Sequence, residues 1–211
     1  PKIHFPIGET ESARLDEAEA ESLEQLIAAA EADPDSIAGV IVEPIQGEGG
    51  DNHFRDSYLR DLHRTTHDIG ALFIVDEVQT GMGLTGKMWS HEHMGFEPDI
   101  LAFGKKMQIC GMMAGPRLDE NMDNVFTSSS RINSTWGGNL IDMVRGAICL
   151  EVIDEENLVD NARLMGDELL AGLGELSERL DSISNVRGRG LFAAFTLPSR
   201  QMRDTFHANA L

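Results

Sequence analysis

The sequence predicts an α/β protein with a mostly parallel sheet. Three observations predict it: short continuous apolar runs rich in β-branched residues, helical patterns spaced between them, and connections punctuated by Gly, Pro, Asn and Asp. Residues Asp16 to Asp33 read as a helix, with Leu23, Leu26, Ile27 and Ala30 at helical spacing among glutamates that read as a solvated face. The run "IAGVIVEP" then reads as a strand covered on both faces and ends at Glu43. Tyr58 to Ile69 reads as a helix stopped by Gly70, and "ALFIVDE" as a second buried strand ending at Asp76. A turn-rich segment through Trp89 leads to "PDILAFGKK", a third short strand that ends at Gly104-Lys105. A loop-rich stretch follows, then helical patterns over Leu140 to Ile153 and Leu158 to Leu180, a strand in "VRGRGLFAAFTLP", and a helix starting at "SRQMRDTF". The order of elements places a domain change near Asp154, giving a larger unit over 1–153 and a smaller one over 154–211.

Composition narrows the function. The 211 residues carry a formal charge of −19, with four lysines against thirteen arginines, which argues against a nucleic-acid or anionic-membrane surface and suits high intracellular salt. No run approaches the roughly 18 apolar residues of a membrane span, so a cytoplasmic protein is expected. Cys110 and Cys149 form no C-x-x-C and read as buried thiols. The chain starts at Pro1 and stops in a helical pattern, "HANAL", so a piece of a longer polypeptide is expected.

Two adjacent carboxylates, Asp76-Glu77, close the second strand, and Gly81-x-x-x-x-Gly86-Lys87 follows. Together they suggest nucleotide hydrolysis, but Met88 stands where a phosphate loop needs Ser or Thr, and the loop follows the acidic strand rather than preceding it. His63-x-x-x-His67 has Arg64 where a zinc protease needs glutamate, so these histidines, with His91 and His93, are expected at the surface, and no metal site is expected.

What remains is a set of strand ends: Glu43, Asp76 and Lys105. Ligands of open α/β sheets bind beyond the carboxyl ends of strands, so these side chains can face one site. Each alone also reads as a solvated strand-end charge, and for Glu43 that reading stays open. A lysine in a partly buried rim can lose its proton by desolvation and condense with a carbonyl, the chemistry pyridoxal phosphate uses, whose ring nitrogen needs a carboxylate partner. Lys105 and Asp76 suit those two roles, with Lys106 as the alternative lysine.

At these residues the chain resembles the class III pyridoxal-phosphate aminotransferases: "VEPIQGEGG", "LFIVDEVQTGMGLTGK", "PDILAFGKK" and "NSTWGGN" stand in that family's order and spacing. The variants "AFGKKMQICGMMAG", "RINSTWGGNLIDMVR" and "RGRGLFAAFTLP" look most like its L-lysine 6-aminotransferase branch. The resemblance implies fold type I, with a large mostly parallel domain and part of a small α+β domain. It implies Lys105 as the lysine that binds the cofactor and shuttles the substrate proton, Asp76 on the ring nitrogen, Val78 on a ring face and Gln79 on the phenolic oxygen. Thr135, beside Asn133 and Ser134, matches a hydroxyl that reaches the cofactor phosphate of a partner subunit, which implies a homodimer with shared active sites. Glu48 matches an acid that pairs with a downstream arginine and swings aside for 2-oxoglutarate, while Glu43 supports the ring environment. The reaction implied passes lysine's terminal amine to 2-oxoglutarate, giving 2-aminoadipate 6-semialdehyde and glutamate. Two alternatives stand: another ω-aminotransferase acting on ornithine, acetylornithine or 4-aminobutyrate, or an inactive fragment that associates with a partner. The family's glycine-rich phosphate loop, stacking aromatic and substrate arginine would lie upstream of this sequence.

Overall fold

A computed structural model describes residues 1–5, 7–132 and 135–210 of the chain. Helix α1 (Glu9–Ala32) leads to strand β1 (Gly39–Val42), and a small antiparallel pair, β2 (Ile45–Gln46) and β3 (Asn52–His53), encloses the glycine-rich loop 47–51. Helix α2 (Asp56–Asp68), strand β4 (Leu72–Asp76), strand β5 (Ile100–Phe103) and strand β6 (Gly111–Ala114) complete a four-stranded sheet of order β1-β4-β5-β6. The first three strands run parallel and β6 is antiparallel to β5. Helices α3 (Leu140–Glu155) and α4 (Leu158–Arg179), the hairpin β7 (Ser184–Arg189) and β8 (Phe192–Thr196), and helix α5 (Arg200–Ala210) follow.

The core forms where α2 lies against β4. Period-two alternation sends Phe73 and Val75 to one face of β4, where Tyr58, Leu59 and Leu62 of α2 and Met94 meet them. Each such side chain contributes roughly 1.5–3 kcal/mol by leaving water. Helix α1 covers the cluster with Leu23 and Leu26, and Ser22 Oγ lies 2.8 Å from Tyr58 Oη. Its acidic run is not wholly a solvated face: Glu19 is buried and accepts from the Arg55 guanidinium, at the start of α2, at 2.5 and 2.7 Å.

Four further differences from the sequence reading have local causes. Strand β1 is an edge strand, so Ile41 is 64% exposed rather than covered on both faces. Strand β6 arises within the stretch read as loop, because "GMMA" carries no β-branched residue and starts on glycine. Cys110, just before that exposed strand, is itself exposed and Cys149 is half-buried, against the expected buried thiols. The segment read as one strand, "VRGRGLFAAFTLP", is a hairpin that turns at Gly190, where φ is +55° and a side chain would be strained. That hairpin seats against the rest of the chain: Leu191 N–H donates to Leu84 O at 2.9 Å, and a Cβ on Gly166 of α4 would lie 2.1 Å from the Gly190 carbonyl carbon.

Candidate active site

Parallel pairing delivers the three strand ends to one edge. Val42 pairs with Val75 and Asp76 with Ala102, so Glu43, Asp76 and the Gly104-Lys105 step leave the sheet side by side. Their charges feel one another. Burial pushes the Glu43 carboxyl above the ordinary value, Asp76 adds to the rise, and a Gly47 N–H and the Lys105 ammonium oppose it, with Glu48 a further raising charge. Half-buried Asp76 accepts the Val78 N–H on Oδ1 at 3.0 Å. The turn that follows β4 thereby fixes the carboxylate's orientation.

Lys105 opens a short 3₁₀ turn, Lys105–Met107, with its backbone at φ +49°, the left-handed region that residues with a side chain uncommonly adopt. Gln108 closes the turn, its N–H and Nε2 donating to Lys105 O at 2.8 and 3.2 Å. The two adjacent lysines differ. Lys105 is exposed, whereas half-buried Lys106 donates from Nζ to Gln79 O at 2.5 Å.

The segment after β4 wraps around Glu77. Its side chain is 0% exposed; Oε2 accepts from Thr80 Oγ1 at 2.7 Å and Ser90 N–H at 2.9 Å, and Oε1 accepts His91 N–H at 2.8 Å with His91 Nδ1 at 3.0 Å. The sequence pairs Glu77 with Asp76 as a possible metal-holding acid; the structure separates them, Asp76 to the rim and Glu77 into the interior. Gly81 is needed in the same segment because a Cβ there would lie 2.6 Å from the Trp89 ring. The wrap presents Val78 and Gln79 to the rim. A Cβ on Gly104 would lie 3.5 Å from Val78 Cγ1, and one on Gly47 would lie 3.5 Å from Gln79 Cγ.

The four histidines expected at the surface are half-buried or, for His91, buried. His91 is buried on Glu77, and His93 Nε2 lies 3.1 Å from Thr85 O. His63 stacks on Phe96, and His67 Nε2 lies 2.9 Å from Asp99 Oδ2. Asp99 is buried at the start of β5 and also accepts from Phe73 N–H at 2.7 Å and Arg117 at 3.1 Å. Burial would raise its carboxyl, but the Phe73 and His67 hydrogen bonds and the nearby positive charge hold it below the ordinary value. Among the described residues no group of three His, Cys, Asp or Glu could hold a metal ion.

Exposed Glu48 sits on the 47–51 loop, which sequence reasoning left without support. Arg187 of β7 supplies it, donating from Nε to Asp51 O at 2.6 Å and from Nη2 to Gly50 O at 3.2 Å, while a Cβ on Gly47 would lie 3.1 Å from Phe192 of β8. The structure thus brings Glu43, Glu48, Asp76, Val78, Gln79 and Lys105 to one rim. Thr135 is exposed on the connection before α3, and Asn133 and Ser134 lie outside the described residues.

A strand-end lysine and aspartate stand on a parallel sheet with a glycine-rich loop beside them, and the family comparison gives the chain a class. The model of the Aminotransferase class-III family matches residues 1–211, and the chain belongs to that family. Among its relatives, the L-lysine-epsilon aminotransferase of Mycobacterium tuberculosis is 51% identical over 187 residues, covering 88% of this chain and 42% of the relative. That of Amycolatopsis lactamdurans is 46% identical over 205 residues, covering 97% and 45%, and the mitochondrial 4-aminobutyrate aminotransferase of Homo sapiens is 38% identical over 209 residues, covering 97% and 41%. The solved lysine aminotransferase from M. tuberculosis in the internal aldimine form superposes with a TM-score of 0.90 at 49% identity, over 97% of this chain and 46% of that one. The fold is therefore the fold type I aminotransferase architecture, and the chain spans less than half the length of the relatives it matches.

Proposed function

We propose that the whole protein carrying this chain is a pyridoxal-phosphate-dependent lysine 6-aminotransferase that moves lysine's terminal amine to 2-oxoglutarate. The observation that carries the reading is the rim itself, on a chain about half identical to lysine-epsilon aminotransferases: a carboxylate-rich edge with one exposed lysine at positive φ. The rim fits the cofactor. Three carboxylates face a single exposed ammonium, an excess of negative charge that a protonated pyridine nitrogen would offset, and side chains at Gly47 and Gly104 would crowd Gln79, Phe192, Cys110 and Val78 around it.

Pyridoxal phosphate, when bound, supplies an aldehyde for the amine and a ring that draws electrons from the substrate carbon. Lys105 Nζ would bind the aldehyde carbon and then carry a proton to and from the substrate carbon. Asp76, with Oδ1 held by Val78 N–H, would keep the ring nitrogen protonated through its other oxygen. Val78 would bind a ring face and exclude water from it, and Gln79 would donate to the phenolic oxygen. Glu48 would stand as the mobile acid that yields to 2-oxoglutarate, Glu43 would support the ring environment, Asn133 would join these two acids on the substrate side, and Ser134 and Thr135 would serve the cofactor phosphate.

The last of these roles requires a second subunit, so a homodimer with shared sites belongs to the proposal. Met122, Phe126, Trp136, Leu140 and Ile141 are exposed apolar residues that either the rest of the longer protein or a second subunit would cover. Residues 1–153 then belong to the cofactor-binding domain and 154–211 to the start of the small one. A cytoplasmic location fits the two unbridged cysteines, and no described helix is long and apolar enough to cross a membrane. The amino donor is tested by single-turnover rates of the whole protein with lysine, ornithine and 4-aminobutyrate: lysine should react fastest, and a clear preference for ornithine would overturn the assignment. One methylene is worth only about 1–3 kcal/mol in a pocket, so the comparison has to be quantitative.

A further inference from the structure

We propose that Lys106 is a positioning residue: its ammonium, seated on the Gln79 carbonyl, fixes the backbone that presents Val78 and Gln79 and is thereby withheld from the chemistry open to Lys105. The proposal rests on the aminotransferase reading for its catalytic consequence, but the clamp itself is geometric.

Lys106 Nζ donates to Gln79 O at 2.5 Å, joining the turn after β5 to the turn after β4 across 27 positions of sequence. The same short segment is also held by the Glu77 carboxylate through Thr80, Ser90 and His91, and by Gly81 N–H on Glu77 O at 2.9 Å. Gln79 therefore lies between two tethers, one anionic and one cationic, with its side chain against the Gly47 position. A solvated lysine would be neither half-buried nor aimed at a backbone oxygen. Burial, together with the neighbouring Lys105 charge, pushes the Lys106 ammonium below the ordinary lysine value, and Glu77 acts in the opposite direction. The charged groups that face it are thus Lys105 and Glu77, and the hydrogen bond from Nζ uses the charged form.

The residues around Gln79 form turns rather than a ladder, so the bond to its carbonyl is a hold that no strand pairing supplies. Lys106 supplies that hold from the same tripeptide, Gly104-Lys105-Lys106, that supplies the exposed amine. Any shift of the Lys105 turn is therefore transmitted to Gln79.

The test uses the whole protein with Lys106→Met, Lys106→Arg and Lys105→Ala. In the cofactor-free protein, Lys106→Met should raise hydrogen exchange at the Thr80 and Gly81 amides about tenfold or more, and Lys106→Arg should restore most of the protection. With pyridoxal phosphate and borohydride, mass mapping should place the label on Lys105 in the parent and in Lys106→Met, and Lys105→Ala should leave Lys106 unlabelled. Lys106→Met should lower kcat about tenfold while KM stays within about threefold. Unchanged exchange at Thr80 and Gly81 in Lys106→Met, or a label on Lys106 in Lys105→Ala, would overturn the proposal. If the parent takes no label at all, the aminotransferase reading fails while the exchange result still decides the clamp. If Lys106→Met does not fold, Lys106→Gln replaces it in the exchange measurement, with the same two outcomes.

Discussion

Replacing Glu77 by Ala should destabilise the protein by about 3–5 kcal/mol. The magnitude follows from what the carboxylate leaves behind. Four donors converge on it, at 2.7 Å from Thr80 Oγ1, 2.9 Å from Ser90 N–H, 2.8 Å from His91 N–H and 3.0 Å from His91 Nδ1. The Thr80 hydroxyl and the His91 ring can turn or change tautomer, but the two backbone N–H groups are fixed by the turn and would be left buried without an acceptor. Each costs about 1–3 kcal/mol, and the lost packing of a fully buried side chain adds to the sum. Glu77→Gln should cost less, about 1–3 kcal/mol, because its carbonyl oxygen still serves one pair of donors while its amide opposes the other. Guanidinium unfolding with a common m-value measures both. A Glu77→Ala midpoint within about 1 kcal/mol of the parent would refute the view that this carboxylate organises the 77–91 segment.

Three further outcomes follow from particular contacts. Burial, with Arg187 and Arg189 adding to it, lowers the His53 imidazole from 6.5 to about 4. The unfolded chain then binds a proton that the folded one refuses, so stability should fall by roughly 3 kcal/mol as pH drops from about 6.5 to about 4 and stay level above. His53→Phe should flatten that slope, and parallel slopes for parent and variant would contradict it. Asp99 has the opposite origin: a carboxyl held low when folded stabilises fully above its unfolded value of about 3.9 and loses that contribution as pH falls through the folded value. Asp99→Asn should therefore lower stability at neutral pH, by about 1.5–3 kcal/mol, and shrink the difference from parent in strong acid; a difference independent of pH would count against it. Gly166→Ala should cost at least about 1–3 kcal/mol by thermal or denaturant melting, since its Cβ would fall 2.1 Å from the Gly190 carbonyl carbon; an unchanged melting point would show that α4 and the hairpin are not packed as described.

The sheet and the rim were legible because their signals are local. Apolar β-branched runs ending in Glu43, Asp76 and Lys105 mark strand ends whatever surrounds them, and parallel pairing then places the three together. The supports were not legible. Glu77 looks like a twin of Asp76 in sequence, and only the pleat of β4 and the turn that follows send one carboxylate to the rim and the other inside. His91 is 14 residues from Glu77, and Arg187 is 136 residues from the Asp51 carbonyl it holds, separations that no periodicity encodes. The surface reading of His63 and His67 failed for the same reason: Phe96 and Asp99, which cover them, come from a distant turn. Edge status likewise depends on neighbours, so the exposure of Ile41 could not be read from "GVIV".

The central claim is that Lys105, set beside Asp76 at the carboxyl edge of the sheet, is the amine that takes the cofactor. The most direct measurement is absorbance titration of the whole protein with pyridoxal phosphate, followed by borohydride reduction and mass mapping of the modified peptide. The label should fall on Lys105 alone, and the cofactor should bind about tenfold or more weakly in Asp76→Asn. A label on another lysine, with Lys105 unmodified, would contradict the account.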